Sequence, residues 1–458
     1  MNAIIISAVL GVVMMFAGLF FKKSSQVQWI AILGIISLMG AAIVDYVQLD
    51  PNHIWFKMME FNEYTSIFNL TITFCALMYI FIFHKAISRV GKFDAEYFAL
   101  IFFILCGVYL LSSFSNLLVL FLGIEILSIP QYILAGSDKE NFKSNEASLK
   151  YFLMGAFSTG ILLMGITLIY GSCGTFDILS PKFIAQFQDA HSMTSMTMAG
   201  ILLLIISFGF KVSAAPMHWW TPDVYDGTPT ALTPFMATIV KVSVFVAFLR
   251  LFHLSFGDVG HVWQITIVGM IVLTLLIGNI TAVYQQSVKR MMAYSSIAQA
   301  GFMLFAIFAL NPIAWKGMAL YSVVYTLASL GVFAIIIRMK DHSYDGFNGL
   351  AKKNPLMAAT ATICLFSLAG IPLTGGFFAK YYLLSAVITE GNMIWLVIFA
   401  VLMAAISAYY YFKVVMSMYF KTGEAELIDQ PSQIDKIVLV INAAIILVLG
   451  ILPSIITG

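Results

Sequence analysis

Fourteen stretches of about 20 apolar residues, bounded by charges, glycine or proline, constrain this chain more than any other feature. A helix needs about 20 such residues to cross the hydrocarbon core of a bilayer. The stretches are continuously apolar and do not alternate every second residue, which favours helices over barrel strands. Only 10% of the residues are charged, against roughly 25% in soluble proteins. The sequence therefore predicts an all-α polytopic membrane protein with about 14 transmembrane helices.

The predicted spans have uncertain ends, and two of them are too long to be simple helices: the seventh and the twelfth. In order they cover residues 2–21, 29–47, 66–84, 96–113, 115–136, 147–170, 196–225, 230–252, 263–285, 291–310, 313–338, 356–389, 393–419 and 435–456. Connections after odd-numbered spans hold sixteen of the 24 Lys and Arg residues, and those after even-numbered spans hold four. Because Lys and Arg concentrate on the cytoplasmic side, both termini are predicted on the outer, periplasmic face.

The other four basic residues and one carboxylate lie inside predicted spans. They are Lys150, Lys211, Lys241, Lys380 and Glu125. A lysine at a bilayer centre costs about 2.5 to 3.5 kcal/mol, so intramembrane charges mark functional sites by default. Burial disfavours the charged amine and a nearby carboxylate favours it. A buried lysine near a carboxylate that can approach or retreat is therefore a candidate for reversible proton binding, with Glu125 as the natural partner.

Each of these charges also has a structural interpretation. Lys211 and Lys241 could form ion pairs for stability alone, and Glu125 could be held by backbone or hydroxyl groups. Lys380 and Lys150 could extend to the headgroups, since long basic side chains reach the interface from near helix ends.

Prolines interrupt the two longest spans. Pro216 follows Ser213-Ala214-Ala215 in the seventh span, and Pro372 follows Ala369-Gly370-Ile371 in the twelfth. A proline frees a carbonyl and removes a donor, so such breaks persist in membranes only where they line a polar cavity or are buried in protein. Paired broken helices in the two halves of a chain point to inverted repeats around an ion pathway.

Two further residues are candidates of lower weight. His218 is either a proton relay, since histidine titrates near neutral pH, or a hydrogen-bonded residue that closes the helix break. Tyr294 is more often an interfacial aromatic than a proton carrier. The sequence has no phosphate-binding glycine loop, dinucleotide fingerprint or H-E-x-x-H zinc motif. Its net charge of +2 gives no indication of a nucleic-acid partner.

Five motifs in order resemble the antiporter-like subunits of respiratory complex I. They are G-I-E-I-L-S-I-P from Gly123, A-S-L-K-Y-F-L-M-G-A-F-S-T-G from Ala147, F-K-V-S-A-A-P-M-H-W-W-T-P-D-V-Y-D-G-T-P from Phe210, K-R-M-M-A-Y-S-S-I-A-Q-A-G from Lys289 and L-A-G-I-P-L-T-G-G-F-F-A-K from Leu368. The resemblance implies two inverted five-helix repeats, helices 4–8 and 9–13. It suggests four segments: helices 1–3 in residues 1–95, the repeats in 96–252 and 263–420, and helix 14 in 435–458.

The resemblance also implies roles for matching positions. Glu125 and Lys211 would be the coupling pair, Lys241 the central carrier, and Lys380 the station toward the outer exit. Lys150, His218 and Tyr294 fall on positions that the family associates with the relay, and Pro216 and Pro372 on its helix breaks.

The implied setting is the bacterial inner (plasma) membrane, in contact with other membrane-arm subunits, including neighbouring antiporter-like ones. The chain itself would carry no cofactor, with NADH, FMN, iron–sulfur clusters and quinone in other subunits. Two other functions remain open: a subunit of a multi-subunit cation/proton antiporter, which shares the local motifs, and a non-transporting assembly subunit, which the number of intramembrane charges opposes.

Overall fold

The computed structural model describes residues 1–21, 23–48, 54–55, 58–91, 93–188, 193–391 and 393–457. Most of these residues are helical, which confirms the predicted all-α class. Two short antiparallel strands, β1 (Ile54–Trp55) and β2 (Met59–Glu60), pair within the connection between the second and third helices.

The first six spans are continuous helices, each at a predicted position. They are α1 (Asn2–Phe20), α2 (Ser24–Val47), α3 (Glu63–Ile87), α4 (Asp94–Ser113), α5 (Leu117–Ala135) and α6 (Phe142–Cys173). Asparagine side chains begin several of them: the side chain of Asn62 accepts from the backbone N–H of Thr65, and that of Asn141 from Lys143. These contacts satisfy N–H groups that a helix start would otherwise leave without partners.

The seventh span is broken, as its length predicted. After the short helix α7 (Pro181–Gln186), α8 (Ser195–Lys211) ends at Lys211, and α9 (Trp220–Gly227) begins beyond Pro216. Ser213 within this first break has φ of 64°, a left-handed conformation that non-glycine residues seldom adopt.

The eighth span begins with α10 (Thr233–Phe235), passes through a π-helical turn, Met236–Val240, and continues as α11 (Lys241–Ser255). The next three continuous spans are α12 (Gly260–Val283), α13 (Val288–Ala309) and α14 (Pro312–Ile336). A 3-10 turn, Asp345–Phe347, and the one-turn helix α15 (Leu350–Lys353) lead to the twelfth span.

The twelfth span is also broken: α16 (Pro355–Ala369) ends before Pro372, and α17 (Gly375–Gly391) begins after it. Gly370 and Leu373 in this second break have φ of 86° and 72°. The remaining helices are α18 (Ile394–Tyr419), α19 (Gln433–Ile451) and the short α20 (Ser454–Thr457). The two breaks agree with the prediction, whereas the division into inverted repeats stays a prediction.

Twelve of the described helices are long and apolar enough to cross a membrane, and burial separates central from peripheral ones. The most apolar window is 100% buried in the helix of residues 233–255 and in α14, and 94% buried in α13, against 28% in α1. The helix that carries Lys241 therefore lies at the centre, packed against α13 and α14. The intramembrane lysine is enclosed by protein and not by lipid.

Candidate functional site

Lys211 is the last residue of α8 and points at one face of α5. Its amine donates to the hydroxyl of Ser128 at 2.9 Å and to that of Tyr132 at 3.2 Å. The ammonium also lies 5.8 Å from the centre of the Tyr132 ring. The residue is only 8% exposed, so its charge depends on these neighbours rather than on water.

Glu125 lies on the same helix, one turn before Ser128, and is half-buried. Among the described residues, the ion pairs within 4.0 Å do not include one between Glu125 and Lys211. The Lys211 amine is nevertheless held by Ser128, three residues after Glu125 on the same helix. The predicted pair is thus placed in one region but not in direct contact.

Lys241 is 1% exposed and begins α11, directly after the π-helical turn. Its amine donates to the backbone carbonyl of Ser296 at 3.1 Å and also to the Ser296 hydroxyl. The ring of Tyr225, from α9, lies beneath the amine with its centre 5.6 Å away. No carboxylate forms an ion pair with Lys241 among the described residues, so hydroxyl, carbonyl and aromatic groups hold this buried amine.

A separate hydrogen-bonded network on α13 begins one residue away from the Lys241 contact. Ser295, next to Ser296, forms a 2.5 Å hydrogen bond with the hydroxyl of Tyr411. One turn on, the amide of Gln299 donates to the same hydroxyl at 3.1 Å and to the carbonyl of Leu368 at 2.9 Å. The hydroxyl of Tyr321, from α14, donates to the Gln299 side-chain oxygen. All of these side chains are buried.

Lys380 lies at the far end of this network. Its amine donates to the carbonyls of Leu368 and Ala369, each at 2.9 Å, where α16 stops. The amine also lies 4.6 Å from the centre of the Phe302 ring. Lys380 is 7% exposed, so it is buried at the helix break and does not extend to a headgroup region.

Lys150 is placed differently from the other three lysines. Its side chain is 40% exposed and pairs with Glu146 at 2.8 Å and Asp223 at 2.9 Å. Asp223 also pairs with Arg290 at 3.0 Å. These four residues line a cavity of about 180 Å³ that we call the charged mouth. It ties the start of α6 to α9 and to the start of α13.

In the first break and at the start of α9, three buried polar atoms lack partners among the described residues: Ser213 Oγ, His218 Nδ1 and Thr221 Oγ1. The His218 ring stacks on Trp219 with centroids 4.9 Å apart. Buried polar atoms are seldom left unpaired, so three together indicate a site for water. Tyr294, in contrast, packs half-buried against the apolar core and takes no part in the hydrogen bonds described above.

Several polar residues of the site escaped the sequence prediction. Ser295, Ser296 and Gln299 belong to the polar run Y-S-S-I-A-Q inside an apolar span, which was a usable signal. Tyr321 and Tyr411 carry no such signal, because a tyrosine in an apolar helix is ordinary and its partner becomes visible only in the folded chain.

Two broken helices, a central helix enclosed by protein and three buried lysines define an antiporter-like membrane subunit. Residues 115–407 match the family described as NADH:quinone oxidoreductase/Mrp antiporter, transmembrane. NADH-quinone oxidoreductase subunit N of Cytophaga hutchinsonii is 39% identical over 460 residues, covering 99% of this chain and 98% of that protein. The chain belongs to this family and, within it, to the subunit N group.

Solved structures share the fold over the whole chain. A chain of respiratory complex I from Thermus thermophilus with bound aureothin is 27% identical, with a TM-score of 0.84, covering 99% of this chain and 98% of that one. A chain of the Mrp complex from Dietzia sp. DQ12-45-1b has a TM-score of 0.85 at 17% identity, covering 100% and 95%, a likeness in fold alone.

Proposed function

We propose that this chain translocates protons as membrane subunit N of a bacterial NADH-quinone oxidoreductase. The observation that carries the proposal is the set of lysines buried inside the membrane: Lys211, Lys241 and Lys380 are each less than 9% exposed and held by hydroxyl or carbonyl groups. Lysines so placed are costly, and subunit N relatives match the chain over its full length.

Within this proposal, the Glu125–Lys211 region receives the signal from quinone reduction elsewhere in the complex. A change in the charge balance there alters the electrostatic field at Lys241, which passes its proton toward Lys380. Lys150 and the charged mouth supply protons, and the unpartnered atoms around His218 hold the water that links Lys150 to the interior. Tyr294 has a minor role in this proposal, because its side chain has no hydrogen bond among the described residues.

The proposal includes the setting. The chain spans the bacterial inner membrane with both termini on the outer face, beside other membrane-arm subunits of complex I. It works without a cofactor of its own, while NADH, FMN, the iron–sulfur clusters and quinone are bound by other subunits. Its two repeats comprise residues 96–252 and 263–420, and Lys241 and Lys380 lie one in each.

The test uses the intact complex in inverted membrane vesicles. Lys241→Ala should abolish most NADH-driven proton pumping and leave NADH oxidation by an artificial electron acceptor intact. Lys340→Ala is the matched control, because Lys340 is 70% exposed in a connection and pairs with Glu426 at 2.7 Å, which raises its pKa. Pumping with full stoichiometry in Lys241→Ala would contradict the proposal.

A cation/proton antiporter subunit is the second candidate, because the matched family includes Mrp antiporters and the Mrp chain shares the fold. Purification of the native complex separates the two. A flavin and iron–sulfur arm that co-purifies with the chain supports the oxidoreductase, and an intact complex without either supports the antiporter.

A further inference from the structure

Gln299 lies between the two lysines Lys241 and Lys380 and uses its side-chain amide fully. The amide nitrogen donates to the Leu368 carbonyl and to the Tyr411 hydroxyl, and the amide oxygen accepts from Tyr321. Because a backbone carbonyl can only accept, the contact with Leu368 sets which end of the amide is the nitrogen. Both hydrogens and the oxygen therefore have partners, and the residue is 2% exposed.

The chemistry of this side chain differs from that of its neighbours. A serine or tyrosine hydroxyl can accept one proton while it donates another, and a lysine can gain or lose one. A glutamine amide has hydrogens on its nitrogen and lone pairs on its oxygen, but no single atom does both. The polar network is therefore continuous in hydrogen bonds from Ser295 through Tyr411 to Leu368, yet it cannot conduct a proton through Gln299.

A small cavity lies beside the amide. Gln299, Tyr321, Tyr325, Ser367 and Lys380 line it, and its volume is about 10 Å³. A single water needs about 10 to 15 Å³ by this measure, so the cavity is at the lower limit for one water. These five lining side chains carry polar groups, which would hold such a water. The space next to Gln299 is closed to a chain of waters in this conformation.

We propose that Gln299 is the gate between Lys241 and Lys380: its bonded amide blocks proton transfer, and its release admits water that completes the path. In the open state a proton leaves the Lys241 ammonium, moves through hydroxyls and water past the displaced amide, and binds the Lys380 amine. Lys241 loses one proton and Lys380 gains one. This gate rests on the proton-relay function proposed above. In the closed state, the side chain of Gln299 alone blocks the path.

The test replaces the amide by a group of the same shape that both accepts and releases protons. In the intact complex in membrane vesicles, Gln299→Glu should raise passive proton conductance, measured without NADH, by about 100-fold or more, the lower end of the range over which a positioned acid–base group acts. Gln299→Met keeps the length of the side chain and cannot relay protons, so it should not add this leak. Conductance equal to wild type in an assembled Gln299→Glu complex would overturn the gate.

A second variant keeps the test decisive if Gln299→Glu does not assemble. Tyr321→Phe removes the hydrogen bond that holds the amide oxygen and retains the ring. It should increase passive conductance by about twofold to tenfold, because one hydrogen bond contributes roughly 0.5 to 1.5 kcal/mol. No increase in this variant would count against the gate.

A double variant separates the gate from the relay. Adding Lys241→Ala to Gln299→Glu should remove the leak, because the proton source on one side of the gate is gone. A leak that persists without Lys241 would show that Gln299 does not control this step. If pumping is lost in Lys241→Ala but Gln299→Glu conducts as wild type, the relay stands and the gate fails.

Discussion

The lysines near the two helix breaks find their hydrogen-bond partners in different ways. At the first break, the nearby Lys211 amine bonds to hydroxyls of another helix, Ser128 and Tyr132, and polar atoms of the break itself lack partners in the described part of the chain. At the second break, the Lys380 amine bonds to the carbonyls that the break has freed, those of Leu368 and Ala369. Lys211 is therefore held by side chains that can rotate. Lys380 instead satisfies backbone carbonyls at the end of α16.

This difference separates two tasks. Hydroxyls can rotate and act as donors or acceptors, so a change in the charge of Lys211 is compatible with the same backbone. Carbonyls only accept, so Lys380 must keep donating for the second break to stay satisfied. We infer that the first break is suited to respond to a signal, and that the second is suited to hold its geometry while protons pass.

The largest expected effect comes from filling the space at the second break. A Cβ on Gly376 would meet the carbonyl oxygen of Ser367, with the carbonyl carbon 2.7 Å away. Backbone atoms cannot move aside without shifting α16 against α17, and overpacking of a core costs about 1 to 3 kcal/mol or more. Gly376→Ala should therefore prevent assembly of the complex, measured by native gel electrophoresis of solubilised membranes.

Gly209, just before the first break, provides the matched control. A Cβ there would meet only the methyl ends of Met217 and Met270, which can rotate away. Gly209→Ala should assemble normally. If both substitutions reduced assembly equally, the second break would not be more rigid than the first.

The second expected effect concerns the two lysines as stabilising groups. Lys380→Ala removes the donor to Ala369, and an unsatisfied buried carbonyl costs about 1 to 3 kcal/mol. Lys211→Ala leaves hydroxyls that can turn to other acceptors. Thermal unfolding of the purified complex should therefore begin at a lower temperature in Lys380→Ala than in Lys211→Ala, although both should lose pumping. The reverse order would contradict the assigned roles.

A smaller effect is expected from the hydroxyl that Lys211 uses. Tyr132→Phe removes the 3.2 Å hydrogen bond and retains the ring, and the Ser128 contact remains. One such bond contributes about 1.5 to 3 kcal/mol when one partner is charged. Proton pumping per NADH oxidised should fall only in part. A loss as complete as in Lys211→Ala would mean that Tyr132 acts in the relay directly.

The smallest effect is expected at the charged mouth, which ties the first break to α13. Asp223→Asn breaks contacts with both Lys150 and Arg290, whereas Glu146→Gln leaves Lys150 one carboxylate. Partly exposed pairs contribute about 0 to 1 kcal/mol and are screened by salt. Proton pumping should fall slightly more in Asp223→Asn than in Glu146→Gln, and this difference should disappear at high ionic strength. A difference in pumping that persists at high ionic strength would indicate that Asp223 has a role beyond its ion pairs.

Much of the fold was readable from the sequence because the bilayer imposes one dominant pattern. Continuous apolar stretches predicted every span, and Pro216 and Pro372 predicted both breaks. Burial of Lys211 and Lys241 followed from their mid-span positions, whereas the sequence left open whether Lys380 is buried or extends to the headgroups. Lys150 stayed undecided from sequence, and its 40% exposure and ion pairs in the charged mouth show why: it lies in the first third of the long helix α6, where its side chain still reaches water.

The partners of the site were beyond sequence reasoning, since they come from helices far apart in the chain. Ser296 meets Lys241 across 55 residues and Tyr411 meets Gln299 across 112. Electrostatic reasoning favoured Glu125 as the contact of Lys211, but the lysine bonds hydroxyls that lie on the same face of α5. Helix periodicity would have placed Ser128 and Tyr132 beside Glu125, since they follow it at three and seven residues.

The π-helical turn before Lys241 has a consequence for how this lysine is aimed. Such a turn acts as a one-residue insertion in an α-helix, and each residue of an α-helix advances the direction of the side chains by about 100°. Relative to residues 233–235, the turn therefore rotates every later side chain of α11 by about a quarter of a circle. The direction in which Lys241 points, and therefore its contact with Ser296, depends on this rotation. In an uninterrupted α-helix with the same residues, the amine would point in another direction.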